Sequence, residues 1–225
     1  MKTLLTILSA IVILLGFGLG ANAYQIEDLP NTGIEGDVVL GPTKIELFLD
    51  PGATTTREIM VTNRTGRTAK FKIGIEDFKG SHDSSQSIVL LGAENGPYPL
   101  KNWVKPEVSE FVLNHGQRIH LPIEILIPQD GEPGGHYGVV FASLESFLSG
   151  ENETAGNQVS IVPRVGTLFF VRVAGDVQEE GSLQNFQVNK NWYEKGPISF
   201  SLLFENKGSV HLVPYGTIEI KNMFG

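Results

Sequence analysis

Apolar and polar side chains alternate along most of the chain after residue 23. In Arg118–Ile127, five apolar side chains occupy every second position, and Arg118, His120, Pro122 and Glu124 lie on the other face. The segments Lys70–Glu76 and Ile198–Phe204 follow the same two-residue period. This period is typical of strands with one buried face. The pattern therefore predicts an all-β protein.

Shorter alternating segments predict additional strands, over Thr43–Leu49, Arg57–Thr62, Ser109–Leu113, Tyr137–Leu144 and Gln158–Val173. Turn-forming residues such as Asp50-Pro51-Gly52 separate the predicted strands, and no segment has a sustained helical period. Pro122 indicates either the outward-facing side of its strand or a strand at the edge of a sheet. Short strands joined by such turns predict an immunoglobulin-like antiparallel sandwich.

The first 23 residues have the features of a secretory signal peptide. Lys2 precedes an apolar run over residues 4–19, and Ala21-Asn22-Ala23 follows as a cleavage signal. The apolar run is shorter than the ~20 residues that cross a bilayer, which argues against a membrane anchor. We expect cleavage after Ala23 and export to the cell surface or cell envelope.

Two segments of the chain resemble each other. Ile59–Asn63 leads through Gly66 into a strand at Phe71–Ile75, and Phe200–Asn206 leads through Gly208 towards a strand around Thr217–Ile220. An Asn at such a position can bond the local backbone, which suits a sandwich turn. Coincidence is the alternative, because strand–Asn–Gly–strand is a common sequence.

We interpret this repeat as two sandwich domains of related type. The predicted division is a signal peptide at 1–23, an N-terminal tail at 24–36, a first sandwich at 37–176 and the start of a second at 177–225. The charged segment Glu179–Ser182 is expected to be a connector. Residues 177–225 are about half of the ~100 residues that such a sandwich needs, so we expect the second domain to be incomplete here and the natural chain to continue.

Composition and motifs argue against several classes of function. The net charge of −8 argues against general nucleic-acid binding, which needs a basic surface. The absence of Cys excludes disulfides, thiolate metal sites and cysteine nucleophiles. The five His residues lack metal-site spacing, and Ser81-His82-Asp83 are sequence neighbours, whereas a catalytic triad meets in space. We expect no catalytic residues, no metal and no cofactor, and hence no enzyme.

The best candidates for binding lie in the long excursion Lys79–Val108, which contains Tyr98 and Trp103. Loops on a rigid sandwich often carry recognition, and these two residue types are favoured anchors. The alternative is that Trp103 closes one end of the sandwich core. Asn63-Arg64-Thr65 and Asn152-Glu153-Thr154 also match the N-glycosylation pattern.

Two further motifs resemble the WxL-interacting protein family over residues 37–175. Pro51-Gly52 precedes a strand ending in Val61-Thr62-Asn63, and Ile127-Pro128 leads to Gly134-Gly135-His136-Tyr137-Gly138. We attribute these glycines to a tight turn into a strand. The resemblance implies a peptidoglycan-binding immunoglobulin-like domain, a second sandwich and then a membrane anchor, which this sequence does not contain.

The leading hypothesis is a non-enzymatic bacterial cell-surface protein that binds cell-wall peptidoglycan or a partner surface protein. Strand addition at a sheet edge is one route for such binding. One alternative is a periplasmic pilus-type chaperone, which needs a basic pair to hold a subunit carboxylate; Arg164 and Arg172 are the candidates. The other is a non-catalytic module of a secreted hydrolase.

Overall fold

The computed structural model describes residues 24–81, 86, 88–148, 163–190 and 192–222. The predicted signal peptide lies outside these residues. The described strands are β1 Gln25–Asp28, β2 Val38–Gly41, β3 Lys44–Leu49, β4 Thr54–Asn63, β5 Ala69–Gly80, β6 Ile88–Leu90, β7 Val104–Pro106, β8 Glu110–Leu113, β9 Gln117–Leu126, β10 Gly134–Phe147, β11 Arg164–Val173, β12 Gly181–Val188 and β13 Phe200–Asn206. A 3-10 turn, Lys101–Trp103, precedes β7. Within the described residues, no helix is long and apolar enough to cross a membrane.

Strands β1 to β11 form a two-sheet sandwich. Sheet A has the order β1-β9-β4-β2, and β7 also pairs with β9; sheet B has the order β3-β11-β10-β5-β6, and β8 also pairs with β5. The prediction of an all-β, immunoglobulin-like sandwich is confirmed. One pair departs from the predicted antiparallel arrangement, because β3 runs parallel to β11.

The core lies between the two sheets and follows the alternation of the sequence. Four apolar side chains of β9, at positions 119, 121, 123 and 125, have no exposed surface. They belong to one cluster with Phe71 of β5 and Phe169 of β11 in the opposite sheet. Each such side chain contributes about 1.5–3 kcal/mol through burial, so this face of β9 dominates the hydrophobic stabilisation of sheet A.

The N-terminal segment ties the two sheets together. β2 pairs antiparallel with β4 in sheet A, where Val38 lies opposite Asn63. After Pro42 the chain crosses to sheet B, and β3 pairs with β11 there, with Lys44 opposite Leu168. The Thr167 hydroxyl donates a 2.6 Å hydrogen bond to the Pro42 carbonyl at the crossing point.

Residues 24–36, which we expected to form a tail, contribute a strand to sheet A. β1 pairs with β9 over four residues, with Gln25 opposite His120 and Asp28 opposite Gln117. All four residues of β1 are exposed, so the strand has no apolar face that could produce a detectable alternation. The expectation of a tail is corrected, because backbone pairing with β9 places this segment, and polar side-chain contacts such as that of Asp28 with Gln117 support it.

Pro122 lies on the outward side of a central strand, so of its two expected positions the outward side is confirmed and the edge is not. β4 pairs along one side of β9, whereas β1 and β7 divide the other side between them. Pro122 lies between these two short partners, and its carbonyl accepts a 3.1 Å hydrogen bond from the Glu107 amide. Since the N and O of a strand residue point to the same side in such pairing, the missing N–H of Pro122 faces this break.

Residues beyond 176 form an antiparallel hairpin of β12 and β13. β12 starts at Gly181, so the predicted connector Glu179–Ser182 includes the beginning of a strand. The prediction of a strand around Thr217–Ile220 is wrong, because these residues form no regular secondary structure. One face of the hairpin carries exposed apolar side chains, at Leu183, Phe186, Val188, Phe200 and Leu202.

Candidate functional site

The loop between β6 and β7, which contains Tyr98 and Trp103, is docked onto the start of β10. The Tyr137 amide donates a 3.1 Å hydrogen bond to the Tyr98 carbonyl, and Pro99 forms an isolated bridge with Tyr137. The long excursion predicted from the sequence is therefore ordered against sheet B at this point.

A buried carboxylate on strand β5 holds the same loop through hydrogen bonds to its backbone amides. Asp77, near the end of β5, has no exposed surface. It accepts 2.8 Å hydrogen bonds from the Leu100 and Lys101 amides, and a weaker bond of 3.3 Å from the Gly96 amide. Charge-assisted bonds of this kind compensate for burial of the carboxylate. The sequence carries no signal of this role, because all three donors are backbone groups.

Tyr98 and Trp103 occupy different environments. Trp103 is half-buried and packs against the sandwich core, with its ring centroid 4.2 Å from that of His136. Tyr98 is 39% exposed and contacts the Tyr137 ring edge-on at 6.1 Å. Trp103 thus lies where a residue closing the core would lie, and Tyr98 offers the more accessible surface. Binding by either residue stays a prediction.

The His residues make local contacts. His120 lies between Glu58 and Glu27, with nitrogen–oxygen distances of 2.9 and 3.3 Å. Its hydrogen bond to Glu58 raises the pKa of the imidazole above its ordinary value. His136 is buried and lies between two backbone carbonyls. In the parts of the chain that the structure describes, no three metal-ligating side chains converge.

The segment around Val210 joins the hairpin to the outer face of sheet B. Val210 is buried, and the Ser209 carbonyl accepts a 2.8 Å hydrogen bond from the Gly135 amide. The His211 ring packs on Phe170 of β11, with a centroid separation of 4.9 Å. Gly134 has a φ of +133°, and a Cβ at this residue would lie 3.0 Å from the Ser209 carbonyl oxygen. Gly134, which the sequence assigns to a tight turn, thus also allows the segment that follows the β12–β13 hairpin to approach β10 closely.

Strand β3 forms one edge of sheet B in the described part of the chain. Lys44, Glu46 and Phe48 are exposed, whereas Ile45 and Leu47 face the core. The hydrogen bond from Lys44 lowers the pKa of the Glu46 carboxyl, and His211, 3.7 Å away, acts in the same direction. Phe48 is 66% exposed, and the Arg172 guanidinium lies 5.7 Å from its ring centroid.

Arg164 and Arg172 do not form the basic pair that the chaperone hypothesis requires. They are eight residues apart on one strand, β11, which separates them by roughly 26 Å. Arg164 is paired with Glu76 at 2.8 Å, and Arg172 with Glu179 at 2.5 Å. Each guanidinium therefore already has a carboxylate partner within this chain.

The structure also shows whether one of the two N-glycosylation motifs is accessible to modification. Asn63 has no exposed surface, and its side-chain amide donates hydrogen bonds to the Arg67 and Leu113 carbonyls. It is therefore inaccessible as a glycan acceptor in the folded chain. The second motif, at Asn152, lies outside the described residues, as do His82 and Asp83.

Comparison with known proteins gives a similarity of fold. No protein-family model and no curated protein matches the chain. Among solved structures, the class 5 fimbriae chaperone CfaA shares 12% identity over 77% of this chain and 68% of its own, with a TM-score of 0.42. The E. coli chaperone DraB shares 13% identity over 80% of this chain and 87% of its own (TM-score 0.39).

A PapD-like domain of human CEP192 gives similar values: 12% identity over 62% of this chain and 86% of that domain, with a TM-score of 0.40. At such identities and TM-scores, the similarity concerns the β-sandwich architecture and carries no argument about ligand or partner.

Proposed function

We propose that this chain is a non-enzymatic, exported protein whose sandwich binds a partner protein by accepting one of its strands at the edge of β3. The observation that carries the proposal is the free backbone edge of this strand. Strand addition at such an edge is an established mode of protein recognition, in which main-chain hydrogen bonds supply much of the affinity.

The register shows which backbone groups of β3 are free. The Thr43 and Leu49 carbonyls accept bonds from the Leu168 and Ala174 amides of the β11 segment. In a parallel ladder, alternate residues direct both backbone groups to the same neighbour. The backbone N–H and C=O groups of Lys44, Glu46 and Phe48 therefore point away from β11, towards the open side.

Among the described edge strands of the two-sheet sandwich, β3 is the longest; only β12 and β13 of the separate hairpin are longer. β3 has six residues, whereas β1, β2 and β8 have four each and β6 and β7 have three each. Six residues extend for about 20 Å, enough for a partner strand to form several main-chain bonds.

The side chains of β3 give the edge a defined chemistry. Exposed Phe48, with Arg172 beside its ring, offers an apolar anchor at one end. Lys44 and Glu46 form an ion pair at the other end. Charges on an edge strand discourage pairing with arbitrary strands. We therefore expect a partner strand with an apolar residue opposite Phe48 and a polar residue near the ion pair.

The other hypotheses have less support from the contacts described. A pilus-type chaperone would also bind a protein partner, but Arg164 and Arg172 are separated and paired internally. Peptidoglycan binding rests on the resemblance to WxL-interacting proteins and stays a prediction, as does the absence of enzymatic activity. Peptidoglycan pull-down of the chain, beside an unrelated sandwich as control, tests the first of these.

The decisive experiment uses two substitutions at one position. Glu46→Pro removes an N–H that faces the open side, whereas Glu46→Ala removes the same carboxylate and keeps that N–H. Displayed nine-residue peptides are selected on the whole chain, and amide chemical shifts locate their binding. We expect selected peptides to perturb the amides of residues 44–49, Glu46→Ala to bind them and Glu46→Pro to lose at least about tenfold in affinity, the loss expected for one or two main-chain hydrogen bonds.

Equal affinity of the two variants, or perturbations confined to another surface, would overturn the proposal. An unchanged amide spectrum of Glu46→Pro away from β3 confirms that the variant is folded. If it is not folded, hydrogen exchange of the Lys44, Glu46 and Phe48 amides in the unsubstituted chain decides instead, since bound peptide must protect them.

A further inference from the structure

Strand β13 has one paired edge and one open edge. In the described part of the chain it pairs with β12 alone. The Asn189 amide donates to the Ser199 carbonyl at one end of this pair, and the Lys207 amide donates to the Glu180 carbonyl at the other. In an antiparallel pair, alternate residues direct both backbone groups to the same neighbour. The residues of β13 whose backbone groups point to the open edge are therefore Phe200, Leu202 and Phe204.

The repeat in the sequence identifies the counterpart of this edge in the first sandwich. Asn63 is the last residue of β4 and lies opposite Val38, the first residue of β2. Asn206 is the last residue of β13 and lies opposite Gly181, the first residue of β12. Strands β13 and β12 therefore correspond to β4 and β2.

In the first sandwich, β9 covers the corresponding edge. Counted back from the two Asn residues, Phe204 corresponds to Val61 and Leu202 corresponds to Ile59. Ile59 and Val61 pair with β9 and have no exposed surface, whereas Leu202 is 52% exposed. The hairpin thus presents the backbone edge and the apolar side chains that a strand such as β9 covers in the first sandwich.

An apolar cleft lies on the same face of the hairpin. Its volume is about 930 Å³, and Phe186 and Phe200 line it from the two strands. Trp192, Ile218 and Ile220 line it from the segments that follow β12 and β13. Alternate side chains of a strand added to β13 would extend over this face, since successive side chains of a strand point to opposite faces. Exposed apolar surfaces of this kind mark interaction sites.

The charge on the hairpin differs between its two ends. At the end where β12 begins, Glu180 and Glu205 outnumber the lysine that contacts both of them. At the opposite end, Lys190 and Lys221 line the cleft and outnumber Glu219. A strand that complements the hairpin therefore has a basic residue at the first end and an acidic residue at the second.

We propose that the open edge of β13 binds a strand of a second protein, which runs antiparallel to β13 and places alternate apolar side chains over the cleft. Its charges should match the hairpin, with a basic residue opposite Glu205 and an acidic residue towards Lys190. β9 has this order of residues, from Arg118, which lies opposite the counterpart of Glu205, to Glu124. Such addition completes a two-stranded hairpin, which is marginally stable alone. The chain then has two strand-binding edges, β3 and β13.

A synthetic peptide with the sequence of β9, Gln117–Leu126, is the probe, with a lysine tail for solubility. It is titrated into the isotope-labelled whole chain at a concentration at which the chain is monomeric, and the amide chemical shifts locate its binding. We expect the amides of β13 to shift. We also expect exchange of the Phe200, Leu202 and Phe204 amides to slow about tenfold or more at saturation, because they gain hydrogen bonds.

Two N-methylated peptides test the backbone pairing without any change to the protein. In the first sandwich the Ile127 amide donates to the Ala53 carbonyl, so by alternation the Leu121 amide faces β4 and the His120 amide faces away. Methylation at the position of Leu121 should weaken binding about tenfold or more, whereas methylation at the position of His120 should leave it unchanged. Equal affinities of the two peptides would refute the pairing.

Two substitutions test the apolar face of the hairpin. Leu202→Lys should weaken binding of the unmethylated peptide about tenfold or more, because it places a charge among the apolar side chains. Ser201→Lys adds the same charge on the opposite face and should retain binding. Glu46→Pro, which alters the β3 edge, should also retain it. Shifts confined to β3 or to another surface would overturn the proposal.

Hydrogen exchange of the free chain distinguishes the other possible occupants of the edge. Slow exchange of the Leu202 amide at every protein concentration would show that the chain itself covers the edge. Slow exchange that requires a high concentration, with no displacement by the peptide, would show that a second copy covers it. Either result contradicts the proposal, as does the absence of any shift on addition of the peptide.

Discussion

Asn63 and Asn206 form the same turn at equivalent positions of two strand pairs. The Asn63 amide donates to the carbonyl of Arg67, four residues later, and its oxygen accepts from the amide of Thr65, two residues later. Asn206 repeats both bonds, to the carbonyl of Val210 and from the amide of Gly208. The sequence repeat is therefore also a repeat of hydrogen bonding.

The equivalence extends to the neighbouring strands. Asn63 lies opposite Val38 at the start of β2, and Asn206 lies opposite Gly181 at the start of β12. The residue after each Asn donates its amide to the residue before the partner strand: Arg64 to Asp37 and Lys207 to Glu180. The hairpin of the second unit thus has the register of β2 and β4 in the first.

Replacement of these two residues should have unequal effects. Asn63 is buried and also bonds the Leu113 carbonyl, so Asn63→Ala leaves several buried groups unpaired and should lower the free energy of unfolding by about 2–3 kcal/mol. Asn206→Ala should cost about 1 kcal/mol or less, because its turn is more exposed. Denaturant titration measures both, and equal losses would contradict the assignment.

Removing the acceptor oxygens of Asp77 should destabilise the fold more than removing its charge. Asp77→Ala leaves the Leu100 and Lys101 amides without their acceptor, and we expect a loss of about 2–3 kcal/mol. Asp77→Asn keeps a carbonyl oxygen that can accept from both amides, so a smaller loss is expected. Denaturant unfolding with amide exchange at residues 100 and 101 tests the order, and a larger loss for Asn than for Ala would reverse the interpretation.

His120 should give sheet A a pH-dependent contribution. Its pKa in the folded chain is raised by Glu58 and, less strongly, by Glu27. The stabilisation is therefore fully present below the unfolded value of about 6.5 and is lost as pH rises through the folded-state pKa. The stability difference from His120→Gln, measured between about pH 5.5 and 8, should shrink with rising pH. A difference that grows with pH would contradict this sign.

The apolar face of the hairpin should promote self-association of the 225-residue chain. Leu202 is 52% exposed beside Phe186 and Phe200, and exposed apolar patches favour association. Leu202→Lys should shift sedimentation velocity profiles towards the monomer at a given concentration. Ser201→Lys adds the same charge on the opposite face and should have the smaller effect; equal effects would indicate that net charge, and not this face, controls association.

The parts of the fold predicted from the sequence are those with one buried face. β5, β9 and β13 were identified because their apolar residues recur at every second position. β1 was missed because all its residues are exposed, and β6 and β7 have only three residues each. Alternation cannot identify such strands, since backbone pairing with a longer neighbour places them.

The candidate site was predicted less completely. Tyr98 and Trp103 were selected as aromatic residues in a long loop, but the side chains that hold this loop, Asp77 and His136, were not. Their partners are backbone amides and carbonyls, which every sequence contains, so no motif reveals them. The turn at Asn63 could be predicted because the local bonds of an Asn side chain depend on near neighbours.

The parallel pairing of β3 with β11 has a consequence for the order of assembly. Its partners, such as Lys44 and Leu168, belong to the first and last strands of sheet B in chain order. A contact between such distant residues carries a larger loop-closure cost than a local one, so we expect this pair to form after the hairpins of the sandwich. Because synthesis starts at the N-terminus, β3 has no partner strand in sheet B until β11, the last strand of the sandwich in chain order, has been made. Closure of this pair is the step that completes the sandwich.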